Sequence, residues 1–340
     1  MAKVWLTGGT GYIGSHTFVD LLESGYEVFS TDNFSNSSPH VLENIRKISG
    51  KESINYEVDL CDRDALELII RQEGQIDAVI HFAAYKAVGE SVQEPLKYFD
   101  NNLNSLLNVL RMCKKYHIPH LVYSSSCTVY GNPEQLPVDE NTPMAPATSP
   151  YGLTKQMGED MIIHSLQATR IGAVLLRYFN PAGAHESGYI GEDPRNAALN
   201  LVPVITETAI GKREKMTVFG SDYPTRDGTC VRDYIHVMDL ARAHTQALEY
   251  ARQHLPPPGY DVFNLGVENG VTVLEAIQAF ERASGQKLNY QLGPRRPGDV
   301  VAIYADATKA KKILGWTPQR DILNIMNTAW QWEKKRSIEQ

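Results

Sequence analysis

Few cysteines, no excess of basic charge and no long apolar run characterise this 340-residue chain. Its four cysteines, Cys61, Cys113, Cys127 and Cys230, lie far apart without C-x-x-C spacing, which argues against a disulfide framework or a zinc site. A formal net charge of -7 argues against a nucleic-acid binder, which carries a basic stripe or excess, so an anionic ligand must be held by local groups. No stretch approaches the roughly 18 apolar residues of a membrane span. The opening "MAKVWLTGGTGYIG" enters a strand-like run and a glycine loop at once, leaving no room for a signal peptide's apolar core. The expectation is a cytoplasmic chain that meets neither membrane nor nucleic acid. What is present is an ordinary globular mixture, 42% hydrophobic and 21% charged, long enough to bury a substantial core without staples.

Over the first 180 residues, short apolar runs alternate with longer amphipathic stretches, the pattern of a parallel sheet covered by helices on both faces. The runs are "VWLT", "EVFST", "INYEV", "DAVIHFA", "HLVYSSS" and "GAVLLRYF", with helices expected near 12–24, 38–48, 62–73, 91–116 and 150–168. After Asn180 the alternation dissolves into Gly- and Pro-rich segments such as "NPAGAHESGYIGEDP". The fold class is therefore α/β: a Rossmann-type doubly wound sheet over 1–180, with a smaller α+β lobe over 181–340. The stretch "VRDYIHVMDLARAH" reads as a strand and helix near 231–250 that could rejoin the first domain.

Gly9, Gly11 and Gly14 stand in G-x-G-x-x-G register after the first strand, and Gly8 adds a second spacing. Such glycines permit a tight turn and close backbone approach to a pyrophosphate, whose charge then meets a helix N-terminus. The second strand ends at Asp32, roughly 20 residues on, where a carboxylate can accept from a ribose 2′-hydroxyl. No arginine sits beside it to compensate a 2′-phosphate, which favours NAD over NADP. Asp59 is expected to end the third strand, and Phe82 and Ala83 the fourth, at the sheet edge where ligands of open α/β folds collect.

In "TSPYGLTKQMGE", Ser149 can cap a helix and Pro150 can occupy its first turn, leaving Tyr151 and Lys155 one turn apart on one face. Hydride transfer from an alcohol needs a base for the hydroxyl proton, and lowering tyrosine from about 10 to about 7 takes roughly 4 kcal/mol. A cation about 4 Å away at an effective dielectric of about 20 supplies that amount, and both Lys155 and an oxidised nicotinamide ring qualify. Ser126, in "YSSSCTVYG", offers a hydroxyl to bridge substrate oxygen and Tyr151, with Ser125 as a competing assignment. His185 and His236 lack a partner at metal spacing and read as structural; no metal is expected. Cys127 has no base nearby in sequence and reads as packing or a pocket wall.

The segments "TGGTGYIGSHT", "HFAAYKAVGESVQEPLKYFDNN", "SSSCTVYG", "SPYGLTK", "LRYFNPAGAH", "DYPTRDGTCVRDYIHVMDLA" and "PRRPGD" resemble the extended short-chain dehydrogenase/reductases along almost the whole chain. "KAVGES" and "DGTCVRDYIHVMDLA" are most similar to the branch formed by the UDP-glucose 4-epimerases. That resemblance implies tightly held NAD and reversible C4 epimerisation of UDP-glucose and UDP-galactose through a 4-keto intermediate, without net redox. Residues 1–180 would bind NAD and 181–340 the UDP-sugar. Tyr151 would take the proton, Lys155 would lower its pKa and hold the nicotinamide ribose, and Ser126 would orient the hydroxyl. The cofactor side comprises Gly8, Gly11, Tyr12, Ile13, Gly14, Asp32, Asn33, Asp59, Leu60, Phe82, Ala83, Lys86, Asn101, Tyr151, Lys155 and Tyr178.

On the substrate side the resemblance places Arg232 and Arg296 on the diphosphate with Asn180 near it, Asn200, Leu201 and Phe219 at the uracil, and Asp299 at the uridine ribose, while Lys86, Ser126 and Tyr151 face the sugar. The UDP must be gripped while the hexose rotates, and arginine's planar fork suits phosphate. Dehydratases and decarboxylases of this group carry an acid-base carboxylate where this chain has Cys127 and Thr128, which weakens a lyase reading. An epimerase of a UDP-pentose or UDP-uronate, and a non-catalytic NAD sensor, stand as alternatives. In the family a bulky Tyr after the "RRPGD"-like stretch excludes N-acetyl groups. The ungapped match gives Ile303 there, beside Tyr304, so activity is expected to extend to UDP-N-acetylhexosamines. Leu103, Leu106, Leu107 and Leu110 form a stripe that burial explains, and by resemblance this helix and the one starting at Ser149 form a homodimer interface.

Overall fold

The computed structural model describes residues 1–195, 197–296 and 299–339. Seven strands form one parallel sheet: β1 (Lys3–Thr7), β2 (Glu27–Asp32), β3 (Ile54–Glu57), β4 (Ala78–His81), β5 (His120–Ser124), β6 (Gly172–Tyr178) and β7 (Gly259–Leu265). Their order is β7-β6-β5-β4-β1-β2-β3, so the direction of winding reverses between β1 and β4. At such a switch point the crossovers leave to opposite faces and a crevice opens at the carboxyl ends of the strands.

Alternation along the strands explains the three layers. Val4, Leu6, Val28, Ile80, Val122 and Val174 face α1 (Tyr12–Glu23), whose Phe18, Leu21 and Leu22 join the same buried cluster. α2 (His40–Ser49) contributes Ile45 to that cluster. Trp5, Phe29, Val79, Leu121 and Leu175 face the other way, onto Leu66 and Ile70 of α3 (Arg63–Glu73). The expected helix near 91–116 divides into α4 (Val88–Gln93) and α5 (Pro95–Tyr116), because Pro95 can open a helix but not sit inside one. α5 and α6 (Pro150–Thr169) complete the second layer through Leu106, Val109 and Ile162.

Segments beyond residue 180 pack into both parts of the molecule, as the open reading of 231–250 allowed. After α7 (Leu201–Ala209), the chain returns to the first layer: α8 (Val237–His254) packs Leu240, Ala243 and Leu248 into the α1 cluster. β7 then adds to β6 with Leu265 opposite Tyr178, a strand unassigned in the sequence reading because "YDVFNL" is short and sits between two Pro/Gly loops. The remaining lobe gathers α7, α9 (Val273–Ser284) and α10 (Ile322–Glu339) around Ile205, Ile277, Phe280, Met326 and Trp330. Short strands stitch it on: Asn180–Ala182 pairs with Tyr234–His236, and Val231–Arg232 lies between Val271–Thr272 and Ala302–Ile303. Among the described residues no helix is long and apolar enough to cross a membrane.

Candidate active site

The glycine loop leaves β1 and folds back on itself. Gly8 has φ of +70°, and a side chain there would put Cβ 2.8 Å from the amide nitrogen of Ala83, just past β4. A Cβ on Gly14 would stand 2.2 Å from the carbonyl oxygen of Gly8, so the first turn of α1 presses directly on the loop. Gly11 caps α1 without a side chain, leaving the first-turn N–H groups to an anion. Tyr12 ties the loop to the second lobe by donating to the carbonyl of Gly183 at 2.6 Å, while Ile13 packs onto the core. A pyrophosphate fits this cradle.

Asp32 is buried at the end of β2, accepting from the amides of Thr10 at 3.2 Å and Phe34 at 2.9 Å. Asn33 reaches Asp59 at 3.4 Å. Asp59 lies two residues beyond β3 rather than at its end, since pairing stops at Glu57. There its carboxylate accepts from the amide of Cys61, and buried Leu60 offers its carbonyl to Asn108 on α5 at 2.8 Å. Phe82 and Ala83 follow β4, Phe82 with its ring 4.7 Å from that of His244. Asn101 donates to Asn102, which holds both Tyr85 and Thr154, the neighbour of Lys155.

Ser149 caps α6 by accepting from the amide of Gly152 at 3.1 Å, and Pro150 is the first helical residue. Tyr151 and Lys155 therefore share one face: the ammonium lies 5.9 Å from the Tyr151 ring centroid and 5.0 Å from that of Tyr123. Lys155 is buried and donates to the carbonyl of Ser124 at 2.6 Å. Burial lowers its pKa to about 8, against a pull upward from Glu159. Burial likewise raises Tyr151, helped by Tyr178, while Ser126 favours the ionised phenol. Against that burial, the two cations considered above, Lys155 and an oxidised nicotinamide ring, are the groups that would favour the phenolate.

The two serines separate cleanly. Ser125 is fully buried and donates to Glu159, whereas Ser126, two residues past β5, caps the short turn Cys127–Tyr130 and lies beside Tyr151. Tyr178 is buried at the end of β6 with its hydroxyl against that of Ser124. Cys127 is buried, and its thiol is pushed up to about 12, which fits a wall and not a nucleophile.

The substrate-side residues form two groups. Asp299 accepts from Arg232 at 3.4 Å and from Arg296 at 2.9 Å, and Arg296 also lies 5.8 Å over the ring of Phe219. Arg295 turns away to Asp222 and Tyr223. The buried carboxylate of Asp233 accepts from the amides of Val267, Glu268 and Ala305, fixing the strand that carries Arg232, and its carbonyl accepts from the amide of Asn180. Ile303 is paired in register with Arg232 and packs with Cys127, Val129 and Phe179, which joins this group to the catalytic one. Tyr304, which follows the strand, has its ring beside Gly270.

In the second group Glu192 accepts from Lys86 at 2.9 Å and from Asn200 at 2.6 Å, the latter capping α7 immediately before Leu201. Glu192 was not singled out in the sequence, nor were Tyr123, Ser124, Glu159 and Arg177. A carboxylate on the buried face of α6, eight residues after Tyr151, was the available signal for Glu159. His185 and His236 meet His16 in a buried cluster where all three are held neutral by desolvation. Among the described residues no group of three or more His, Cys, Asp or Glu is placed to hold a metal.

The family model described as GDP-mannose 4,6 dehydratase matches residues 6–328. The UDP-glucose 4-epimerase of Bacillus subtilis is 48% identical over 332 residues, 97% of this chain and 96% of that one. The human UDP-glucose 4-epimerase is 46% identical over 340 residues, 98% and 97% of the two chains. Among solved structures, the Bifidobacterium longum UDP-glucose 4-epimerase in complex with NAD+ and UDP superposes with a TM-score of 0.94 at 45% identity, covering 99% of each chain. That of Stenotrophomonas maltophila, with bound NAD and formylated UDP-arabinopyranose, gives 0.96 at 41% identity over the whole of both chains. At this identity over nearly its full length, and with this likeness of fold, the chain belongs to the UDP-glucose 4-epimerases of the short-chain dehydrogenase/reductase family.

Proposed function

We propose that the chain interconverts UDP-glucose and UDP-galactose by reversible inversion at C4, through a 4-keto sugar and with NAD retained throughout. The observation that carries this reading is the placement of Tyr151, Lys155 and Ser126 against a wall, Cys127 and Ile303, that leads directly to Arg232. One cleft thus combines a site for oxidising an alcohol with a grip for a diphosphate.

Bound NAD supplies a hydride acceptor that can return what it takes. Gly8, Gly11 and Gly14, with Tyr12 and Ile13, would hold its pyrophosphate; Asp32 and Asn33 would meet its ribose. Asp59, Leu60, Phe82, Ala83, Lys86, Asn101 and Tyr178 would line the rest. Tyr151 accepts the proton of the C4 hydroxyl while Ser126 holds that hydroxyl in place. Arg232 and Arg296, already converging on Asp299, suit a diphosphate because each can donate paired hydrogen bonds. Asn180, Asn200, Leu201 and Phe219 would take the rest of the nucleotide. The hexose meets apolar Ile303 and can turn over between the two hydride transfers. Residues 1–180 with α8 and β7 would serve as the NAD-binding part, and the remainder of 181–340 as the UDP-sugar lobe.

Ile303 is the buried residue at this wall and the ring of Tyr304 stands beside Gly270, which supports a pocket wide enough for UDP-N-acetylhexosamines. The exposed Leu96, Leu153 and Met157 on α5 and α6 support a homodimer through those helices, measurable by light scattering. Proton NMR of UDP-galactose mixed with purified protein and no added NAD tests the central reading. The UDP-glucose anomeric signal should appear; its absence from protein shown to carry NAD would reject it.

A further inference from the structure

Glu159 lies at the deepest point of α6, fully buried, one turn beyond Lys155. A buried carboxylate needs a hydrogen-bonded partner of opposite charge. Arg177 of β6 supplies one with a two-point fork, Nε at 3.0 Å and Nη2 at 2.7 Å from the two carboxylate oxygens. The third arm of the guanidinium donates to the Tyr130 hydroxyl at 3.1 Å, which itself donates to Asn264 of β7 at 2.6 Å. This network is satisfied link by link and contains no atom of the proposed substrate or cofactor site, yet it touches that site at two places. The Oγ of Ser125, adjacent to Ser126, donates to Glu159. The charge of Glu159 also acts on Lys155, opposing the burial that draws its pKa down to about 8.

We infer that Glu159 is a positioning residue for the catalytic trio, anchoring the strand end that presents Ser126 and supplying the negative charge against which Lys155 stays protonated beside Tyr151. The inference rests on the functional reading above for what the trio does. Around Lys155 the facing groups are His81 on β4, Tyr123 and the Ser124 carbonyl on β5, and Tyr151 and Glu159 on its own helix. His81 is held neutral by burial and by Lys155 itself, and burial holds both tyrosines protonated. Among these described residues, Glu159 is therefore the carboxylate that faces Lys155. Removing its charge should deprotonate Lys155 at lower pH while leaving the nucleotide grip untouched.

The test compares holoenzyme of wild type, Glu159→Gln, the doubly neutral Glu159→Gln/Arg177→Gln, and Ser125→Ala. Two readings are taken: the pH profile of UDP-galactose turnover, and the pH at which the Lys155 amine becomes reactive in competitive labelling read by mass spectrometry. Expected is a shift of the Lys155 transition, and of the alkaline limb of kcat, down by about one unit in both Gln variants with KM within twofold. Ser125→Ala should lose roughly tenfold in kcat with no shift in the limb. The double variant carries the test if the single one does not fold, since it leaves no unpaired buried charge. A Lys155 transition unmoved in a folded Gln variant, or full kcat in Ser125→Ala, overturns the proposal. Wild type that fails to epimerise would overturn the functional reading alone, because the labelling measurement does not depend on turnover.

Discussion

At the scale of single residues, the chemistry depends on desolvation as much as on proximity. Tyr151 is raised by burial, so a nearby cation must favour its phenolate before it can accept a substrate proton. Tyr151→Phe should reduce kcat by about 10² to 10⁴, the usual weight of a general acid-base group, with KM little changed and thermal stability near wild type; steady-state kinetics and a melting curve check both. Ile303→Tyr places a ring where the wall is now aliphatic, and should reduce turnover of UDP-N-acetylglucosamine at least tenfold while sparing UDP-galactose. Equal loss on both sugars would show that the wall does not select. Tyr151, Lys155 and the helix cap were legible in the sequence because they follow local spacing. Glu159 and Arg177 were not, because their pairing joins α6 to β6 across the sheet and no local pattern announces it.

Among elements, the turn from β1 into α1 is the least tolerant. A methyl on Gly14 must displace the Gly8 carbonyl, which is backbone and cannot rotate aside. Gly14→Ala should yield protein with less than half the retained NAD and a lowered melting temperature, measured from the absorbance of released cofactor and by calorimetry. Each of the first six strands overlaps an apolar run read from the sequence, since buried parallel strands are continuous hydrophobic stretches. Asp59 and β7 escaped that reading for opposite reasons. The third strand ends where its hydrogen-bond partner β2 ends, and β7 is specified by β6, whose paired residues lie 87 positions earlier (Gly172 to Gly259), more than by its own composition.

For the whole molecule, burial of neutral histidines gives stability an acid-side slope. His16, His81 and His236 are lowered to about 3 and His244 to about 4, in each case first by desolvation. Unfolded histidine titrates near about 6.5, so between there and about 3 the unfolded chain takes up protons that the folded chain refuses, and stability falls as pH falls. Each such histidine contributes up to about 1.4 kcal/mol per pH unit within that window and nothing above it. Asp233, raised to about 6 by burial, works in the opposite sense below that pH, as do Asp20, Glu23 and Glu140, while His120 and His185 add to the histidine side. The denaturant midpoint should therefore be flat above about pH 7 and fall steadily toward pH 5 at constant ionic strength; a midpoint that rises on acidification would contradict this balance. The late position of β7 has a further consequence, for synthesis. Until residue 265 has left the ribosome, β6 presents seven buried-type residues along an unpaired edge, the kind of surface to which other chains add. A chain stopped at residue 180 would keep that edge permanently, so the cofactor half should aggregate when made alone, and the sugar-binding segments between β6 and β7 are bound to be folded in the same event that closes the sheet.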